Sequence, residues 1–157
     1  MRKQRGVTLI ELLVTISIAA ILLAIGVPSM GDFMRSSRVS GATNELAALL
    51  YLARSEAVKR AVNVTVCPDS DSDSVCEATT DWNDGLVVLA NAAAIRRADA
   101  SPQVTITNTV NSVIYDSRGV AAASTITISE GTCPDRVQRQ IEIVATGRIE
   151  VTTVDCP

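Results

Sequence analysis

Residues 7–30 read VTLIELLVTISIAAILLAIGVPSM, an apolar stretch in which Glu11 is the one charged side chain. A carboxylate inside a segment of membrane length costs about 2.5–3.5 kcal/mol on insertion scales, so such residues usually have a partner and a function. The simplest function for Glu11 is assembly, in which its carboxylate pairs with a positive charge on a neighbouring subunit. We therefore expect Glu11 to be an assembly residue.

A short basic leader precedes the apolar stretch. Residues 1–6 read MRKQRG and carry three positive charges. Because positive charge beside a membrane segment stays on the cytoplasmic side, the chain after the stretch is expected to face outward. The stretch itself has about the length that a helix needs to cross a bilayer. We therefore predict a transmembrane segment over about residues 7–30.

Three fates of this N-terminal segment compete. A conventional signal peptide could be cleaved at the small-x-small sequence of residues 24–26, but the acid and the length of the stretch are unusual for that role. A plain anchor would keep the leader. Cleavage after Gly6 would remove the leader and leave the whole helix attached. Pro28 removes one helical hydrogen bond, so a kink or a loosened turn is expected there.

The hydrophobic pattern becomes amphipathic after residue 30. Apolar residues recur at three- and four-residue spacing from Val39 to Ala57, while charged residues mostly occupy other faces. This spacing predicts one helix over residues 7–60. Its first half would lie in the membrane, and its second half would pack an apolar stripe against a sheet.

From residue 61 the hydrophobic period changes to two, which is typical of strands. Turn residues separate seven predicted strands, the last two of which form a hairpin: residues 62–66, 85–90, 104–107, 113–116, 125–129, 140–145 and 148–154. The predicted fold class is therefore α+β. A long N-terminal helix packs on a β-rich head, residues 61–157, built as a β-sandwich or a twisted antiparallel sheet.

The composition excludes several classes of function. The chain has no His, which removes most nucleophile–base pairs and most catalytic zinc sites. Its two lysines lie in the leader and the predicted helix, and no phosphate-cradling loop or G-x-S-x-G motif is present. We expect neither an enzyme nor a cofactor. From residue 61 onward six arginines face thirteen acidic residues, a balance of −7 that disfavours nonspecific binding of nucleic acid.

Four cysteines, an even number, follow the apolar stretch, which favours two disulfides in an oxidising compartment. Three pairings are possible. We favour Cys67–Cys76 and Cys133–Cys156, because each closes a local loop. A zinc site would be the alternative, but the chain has neither C-x-x-C spacing nor His.

The segment between the first two cysteines is acidic. Residues 67–76 read CPDSDSDSVC, and Asp69, Asp71 and Asp73 match the first three liganding positions of an EF-hand loop. Ser74 then replaces the required Gly, and Thr80 stands in the position of the Glu. A solvated acidic loop is the favoured interpretation, and no metal site is predicted.

The leader and the apolar stretch join in the sequence Arg5-Gly6-Val7-Thr8-Leu9-Ile10-Glu11-Leu12. This motif resembles the class III signal of type IV pilins and type II secretion pseudopilins, although the family usually has Phe in place of Val7. It implies that a prepilin peptidase cuts between Gly6 and Val7 and methylates the new N-terminus. Glu11 would then be the fifth mature residue, paired with the amine of an adjoining subunit. The family also uses Gly and Pro at the depth of Pro28 for local melting during filament packing.

In the head, residues 81–89 read DWNDGLVVL, residues 115–119 read YDSRG, and Gly147-Arg148 precedes a terminal Cys156. In these motifs the head resembles the GspH/FimT/FimU family. We expect Trp82 to be a core residue. The resemblance implies a pilin-like minor pilin that primes or joins the tip of a type IV pilus, with other minor and major pilins as partners. It also implies a location in the bacterial inner membrane, with a periplasmic head, and later in the pilus.

Two further roles come with this family. FimT-like members grip DNA through a C-terminal Gly-Arg-x-Arg motif, but here the motif reads Gly147-Arg148-Ile149-Glu150, and the acid repels phosphate. Arg136 and Arg139 could add charge nearby, although Asp135 and Glu142 offset them, so DNA binding is disfavoured. A GspH-type pseudopilin of type II secretion has the same architecture, and the sequence separates it poorly from a pilus subunit.

Overall fold

The computed structural model describes residues 7–71, 73, 75–99, 101–131 and 137–154, with the backbone alone for residues 24–29. The chain divides into two compact units, Met1–Met34 and Arg35–Pro157. Helix α1, Leu9–Arg60, contributes residues to both units, and within the described residues eight strands follow it in the second. These strands are β1 Val64–Pro68, β2 Leu86–Ala90, β3 Ala93–Ala98, β4 Thr105–Asn108, β5 Val113–Tyr115, β6 Ser124–Glu130, β7 Val137–Ile143 and β8 Ile149–Thr153.

Local sequence signals set both ends of α1. At its start the hydroxyl oxygen of Thr8 accepts a hydrogen bond from the backbone N–H of Glu11 at 3.3 Å, the spacing of a capping box. At its end Ala61 adopts a left-handed backbone, with φ of 53°, and the N–H of Val62 donates to the carbonyl of Ala57. The helical backbone continues through Pro28.

The described part of the head contains two four-stranded antiparallel sheets. Their strand orders are β3-β2-β1-β5 and β4-β6-β7-β8. The predicted α+β fold, a long helix with a β-rich head, is therefore confirmed. Strand β3 was not predicted, and β7 begins three residues before the predicted start at residue 140.

One buried cluster joins the second half of α1 to both sheets. The stripe from Val39 to Ala57 supplies the helical side, and Trp82, Tyr115 and Ile126 are among the largest buried side chains on the sheet side. Trp82 is 1 % exposed, so it is the core residue that its position before β2 predicted. The paired Arg38 and Glu130 tie α1 to β6 at the edge of this cluster.

Within the described residues, no helix combines the length and the apolar character needed to cross a bilayer. The span expected over residues 7–30 stays a prediction.

Candidate functional site

The first unit presents an almost continuous apolar surface along α1. Within the described part of this unit, eleven large apolar side chains up to residue 23 are each more than half exposed: Val7, Leu9, Ile10, Leu12, Leu13, Val14, Ile16, Ile18, Ile21, Leu22 and Leu23. Exposed apolar patches of this kind mark surfaces that another protein or a lipid phase covers.

Glu11 lies exposed at the beginning of this surface, in the first turn of α1. A carboxylate there also interacts favourably with the positive end of the helix dipole, and Glu at this spacing from Thr8 is typical of a capping box. Glu11 therefore has a local role in starting the helix besides any role between subunits. Val7, four residues earlier, is 71 % exposed, and Gly6 lies outside the described residues.

Two polar residues within the apolar surface donate hydrogen bonds from their hydroxyl groups to backbone carbonyl oxygens of the same helix. The hydroxyl of Thr15 donates to the carbonyl oxygen of Leu12 at 2.9 Å, and that of Ser17 donates to the carbonyl of Leu13 at 2.8 Å. Such bonds leave no hydroxyl hydrogen unpaired when the helix enters an apolar environment. The surface is thus compatible with burial in lipid or among other helices.

Arg139 and Arg148, the two possible DNA-contact residues that the structure describes, do not come together. Arg148 sits in the turn between β7 and β8, where its backbone carbonyl accepts a hydrogen bond from Val144. Arg139 lies opposite Thr153 in the β7–β8 register, near the other end of the same hairpin. Thr153 is five positions from Arg148 along the chain, which corresponds to about 17 Å of strand. Because this number of positions is odd, Arg148 and Arg139 lie on opposite faces of the sheet. Arg136 lies outside the described residues.

Acidic groups surround Arg148. Its guanidinium pairs with Glu150, and Glu150 stands directly opposite Glu142 in the β7–β8 register. Two carboxylates therefore share this face with one guanidinium, which disfavours the approach of a phosphate.

Close packing explains Gly147, the first residue of this motif. Gly147 has a φ of +74°, and an added Cβ would lie 1.9 Å from the carbonyl oxygen of Gly119. We call residues 144–148 the Gly147 turn and residues 116–120 the Gly119 turn. The two turns meet over the ring of Tyr115, whose Cε1 would be 3.3 Å from the same Cβ.

Arg54 of α1 holds the two turns together, a role that the sequence did not suggest. Its Nε donates to the carbonyl of Gly119 and its Nη2 to the carbonyl of Thr146, both at 3.1 Å. These bonds join residues separated by 65 and 92 positions, so no local spacing could have indicated them.

The Gly119 turn is also organised from within. One carboxylate oxygen of Asp116 accepts the backbone N–H groups of Arg118 and Val120 at 2.9 and 3.0 Å, and the other pairs with the Arg118 guanidinium. The bond from Val120, followed by the Arg118 pair, holds the pKa of Asp116 below its ordinary value. Burial raises the pKa of the neighbouring Tyr115 to about 12, so this phenol stays neutral.

Cys67 and Cys76 form a disulfide, one of the two expected pairs. Cys133 and Cys156 lie outside the described residues. The first bond closes the acidic loop, whose Asp69 forms an ion pair with Arg97 of β3 at 2.5 Å.

Comparison with known proteins identifies two matching family models. A model described as type II transport protein GspH matches residues 42–147, and a model of the prokaryotic N-terminal methylation motif matches residues 1–27. A fimbrial protein of Pseudomonas aeruginosa is 40 % identical over 55 residues, covering 35 % of this chain and 36 % of that protein. Prepilin peptidase-dependent protein D of Escherichia coli K12 is 52 % identical over 40 residues, covering 26 % and 27 %. The chain thus spans about a third of the length of the curated relatives that it matches.

Solved structures resemble a larger part of the chain. The type IV minor pilin FimU of Pseudomonas aeruginosa PAO1 superposes with a TM-score of 0.61 and 25 % identity, over 76 % of this chain and 92 % of FimU. The minor pseudopilin EpsH of the Vibrio cholerae type 2 secretion system has a TM-score of 0.55 and 14 % identity, over 74 % and 97 %. The second similarity concerns the fold alone.

Proposed function

Because this chain belongs to the GspH family of type IV minor pilins and pseudopilins, a family of structural subunits rather than enzymes, we propose that it joins or primes the tip of a type IV pilus. The observation that carries the proposal is the exposed apolar surface of α1 with Glu11 at its beginning, which lies within the residues that match the N-terminal methylation motif. A surface of this size needs a cover, and a filament core of parallel helices would provide one.

Maturation would come first in this proposal. A prepilin peptidase removes residues 1–6, and the new amine at Val7 becomes methylated. Before assembly residues 7–30 anchor the subunit in the bacterial inner membrane, with the head in the periplasm. Glycine and proline near Pro28 then allow the helix to loosen locally as the subunit enters the filament.

Glu11 would set the position of the incoming subunit. In apolar surroundings an unpaired carboxylate is costly, and an amine from an adjoining major or minor pilin neutralises it. Since the rest of the surface can slide along other apolar helices at little cost, this single charge pair would fix the register between subunits.

The test separates this pairing from the capping role of Glu11. Glu11→Gln keeps a side chain suited to the capping box but removes the charge, while Glu11→Ala removes both. We expect both variants to mature at Val7, by mass spectrometry, and to be at least about tenfold depleted from sheared pili, because each loses the charge pair. Glu45→Gln, which changes an exposed acid elsewhere on α1, should be incorporated normally. Normal incorporation of Glu11→Gln would refute the pairing.

A second candidate is a GspH-type pseudopilin of type II secretion. The description of the family model that matches residues 42–147 favours it. Deleting the gene distinguishes the two candidates, because a pilus subunit would be required for surface pili and a pseudopilin for the release of secreted enzymes.

A further inference from the structure

The acidic loop between Cys67 and Cys76 brings three carboxylates together. Asp69, Asp71 and Asp73 each offer one oxygen, and these three oxygens lie within 4.8 Å of one another. Like charges at this separation repel one another unless a positive charge compensates them. A cluster of exposed acids does not by itself indicate a cation site, so the surroundings of its buried residue are decisive.

Asp69 is that buried member, with only 1 % of its side chain exposed. Its Oδ2 pairs with Arg97, which compensates one of the three negative charges. Its Oδ1 is shielded from water and accepts no hydrogen bond from any group in the described part of the chain. A buried carboxylate oxygen without a donor is costly, and coordination to a cation would satisfy it.

The surrounding framework holds this arrangement in place. The Cys67–Cys76 disulfide closes the loop, and the backbone N–H of Ser70 donates to Glu77 at 2.8 Å on the far side of it. Asp69 also lines a cavity of about 60 Å³, to which Asp84 and Asp99 contribute. Further acids therefore add to the negative potential around the loop.

We propose that Asp69, Asp71 and Asp73 bind a divalent cation of the calcium class. Calcium–oxygen distances of 2.3–2.6 Å allow two oxygens on one ion to be up to about 5 Å apart, which accommodates the observed separations. Magnesium demands a near-ideal octahedron at shorter distances, which an irregular loop provides less easily. Water would complete the shell, because Asp71 and Asp73 are exposed.

This site departs from the solvated loop that the sequence favoured. The EF-hand comparison failed at the Gly and Glu positions, but here the disulfide and Arg97 shape the loop instead of two flanking helices. Few protein ligands imply weak binding, with a Kd of about 0.1–1 mM, the range of extracellular calcium modules. The inference does not depend on the proposed function, because it concerns the isolated subunit.

Full-length protein in detergent, stripped with a chelator, is the material for the test. Calcium chloride should raise the unfolding temperature saturably, with one ion bound per chain by calorimetry, whereas magnesium chloride at equal ionic strength should have a much smaller effect. Asp71→Asn and Asp73→Asn should each weaken calcium binding about tenfold, since each removes a charged ligand. Glu142→Gln, an exposed acid on β7, is the matched control and should bind as the wild type does.

Three results would overturn the site. They are an unfolding temperature that does not respond to calcium up to about 10 mM, an equal response to magnesium, and an unchanged calcium affinity in both aspartate variants. Asp71 and Asp73 are exposed, so their variants should fold, and circular dichroism checks this. The titration of the wild-type protein decides the question even if a variant does not fold.

Discussion

At Gly147 a single added methyl group would lie 1.9 Å from the carbonyl oxygen of Gly119. The neighbouring atom belongs to the backbone of a turn that Asp116 and Arg54 both hold, so it cannot move aside cheaply. The positive φ adds strain for any residue with a Cβ. We expect Gly147→Ala to lower the free energy of unfolding by about 3 kcal/mol or more, as measured by urea denaturation.

Gly41 provides the opposite case for the same substitution. It lies exposed in α1, and a Cβ there would meet no atom within 4 Å. Gly41→Ala should therefore raise the free energy of unfolding by about 1 kcal/mol, the usual helix-propensity difference. If Gly147→Ala were as stable as the wild type, the close contact between the two turns would be wrong.

Sequence reasoning at this scale found residues whose role depends on their neighbours in the chain. Glu11 stands out because one charge interrupts an apolar run, and Trp82 because it precedes a buried strand. Arg54 could not be found in this way, since both of its acceptors are carbonyl groups more than 60 positions away. A backbone carbonyl is present at every position and leaves no signature in the sequence.

At the scale of the elements, the period of the hydrophobic residues predicts α1 and most strands, but it does not predict β3. Its residues 93–98 read AAIRRA, without alternation, and its side chains are largely exposed at the edge of the sheet. An edge strand of this kind has one neighbour and little core to face, so burial does not impose a period of two. The turn before it contains Asn91 and Ala92 in left-handed conformations, and Ala gives no turn signal.

The end of α1 is less favourable than it could be. Ala61 occupies the left-handed position after the last turn, where Gly is usual because a Cβ is disfavoured there. Ala61→Gly should raise the free energy of unfolding by about 0.5–1 kcal/mol, the relief of strain exceeding the added freedom of the unfolded chain. Urea denaturation measures the change.

Ala57, a buried residue in the last turn of the same helix, is the control for Ala61. Ala57→Gly should destabilise the protein by about 2 kcal/mol, because Gly adds entropy to the unfolded state of a helical position and the buried methyl group of Ala57 is lost as well. Destabilisation by Ala61→Gly would mean that the helix does not end in the conformation described.

Across the whole molecule, charge is distributed in a way that argues against nucleic acid as a partner. The segment from residue 61 has a net charge of −7. Among the described residues of the head, three arginines form ion pairs with acidic side chains: Arg97 with Asp69, Arg118 with Asp116 and Arg148 with Glu150. Arginines engaged in this way leave little free positive charge for phosphate contacts. The sequence predicted this balance, whereas the pairing itself required the fold.

The β7–β8 hairpin allows a direct test of this view, because one acid separates its motif from the Gly-Arg-x-Arg pattern. We expect the full-length wild-type protein to show no salt-sensitive binding to duplex DNA at micromolar concentration. Glu150→Arg removes the partner of Arg148 and adds a second guanidinium, so it should create DNA binding. The logarithm of the association constant should fall with the logarithm of the salt concentration with a slope of about −2. Glu45→Arg changes the net charge equally on α1, away from the motif, and should create no comparable binding in fluorescence anisotropy. Tight DNA binding by the wild type that Arg148→Ala abolishes would contradict this view. It would show that one arginine suffices, and that Arg148 leaves its ion pair with Glu150 to contact phosphate.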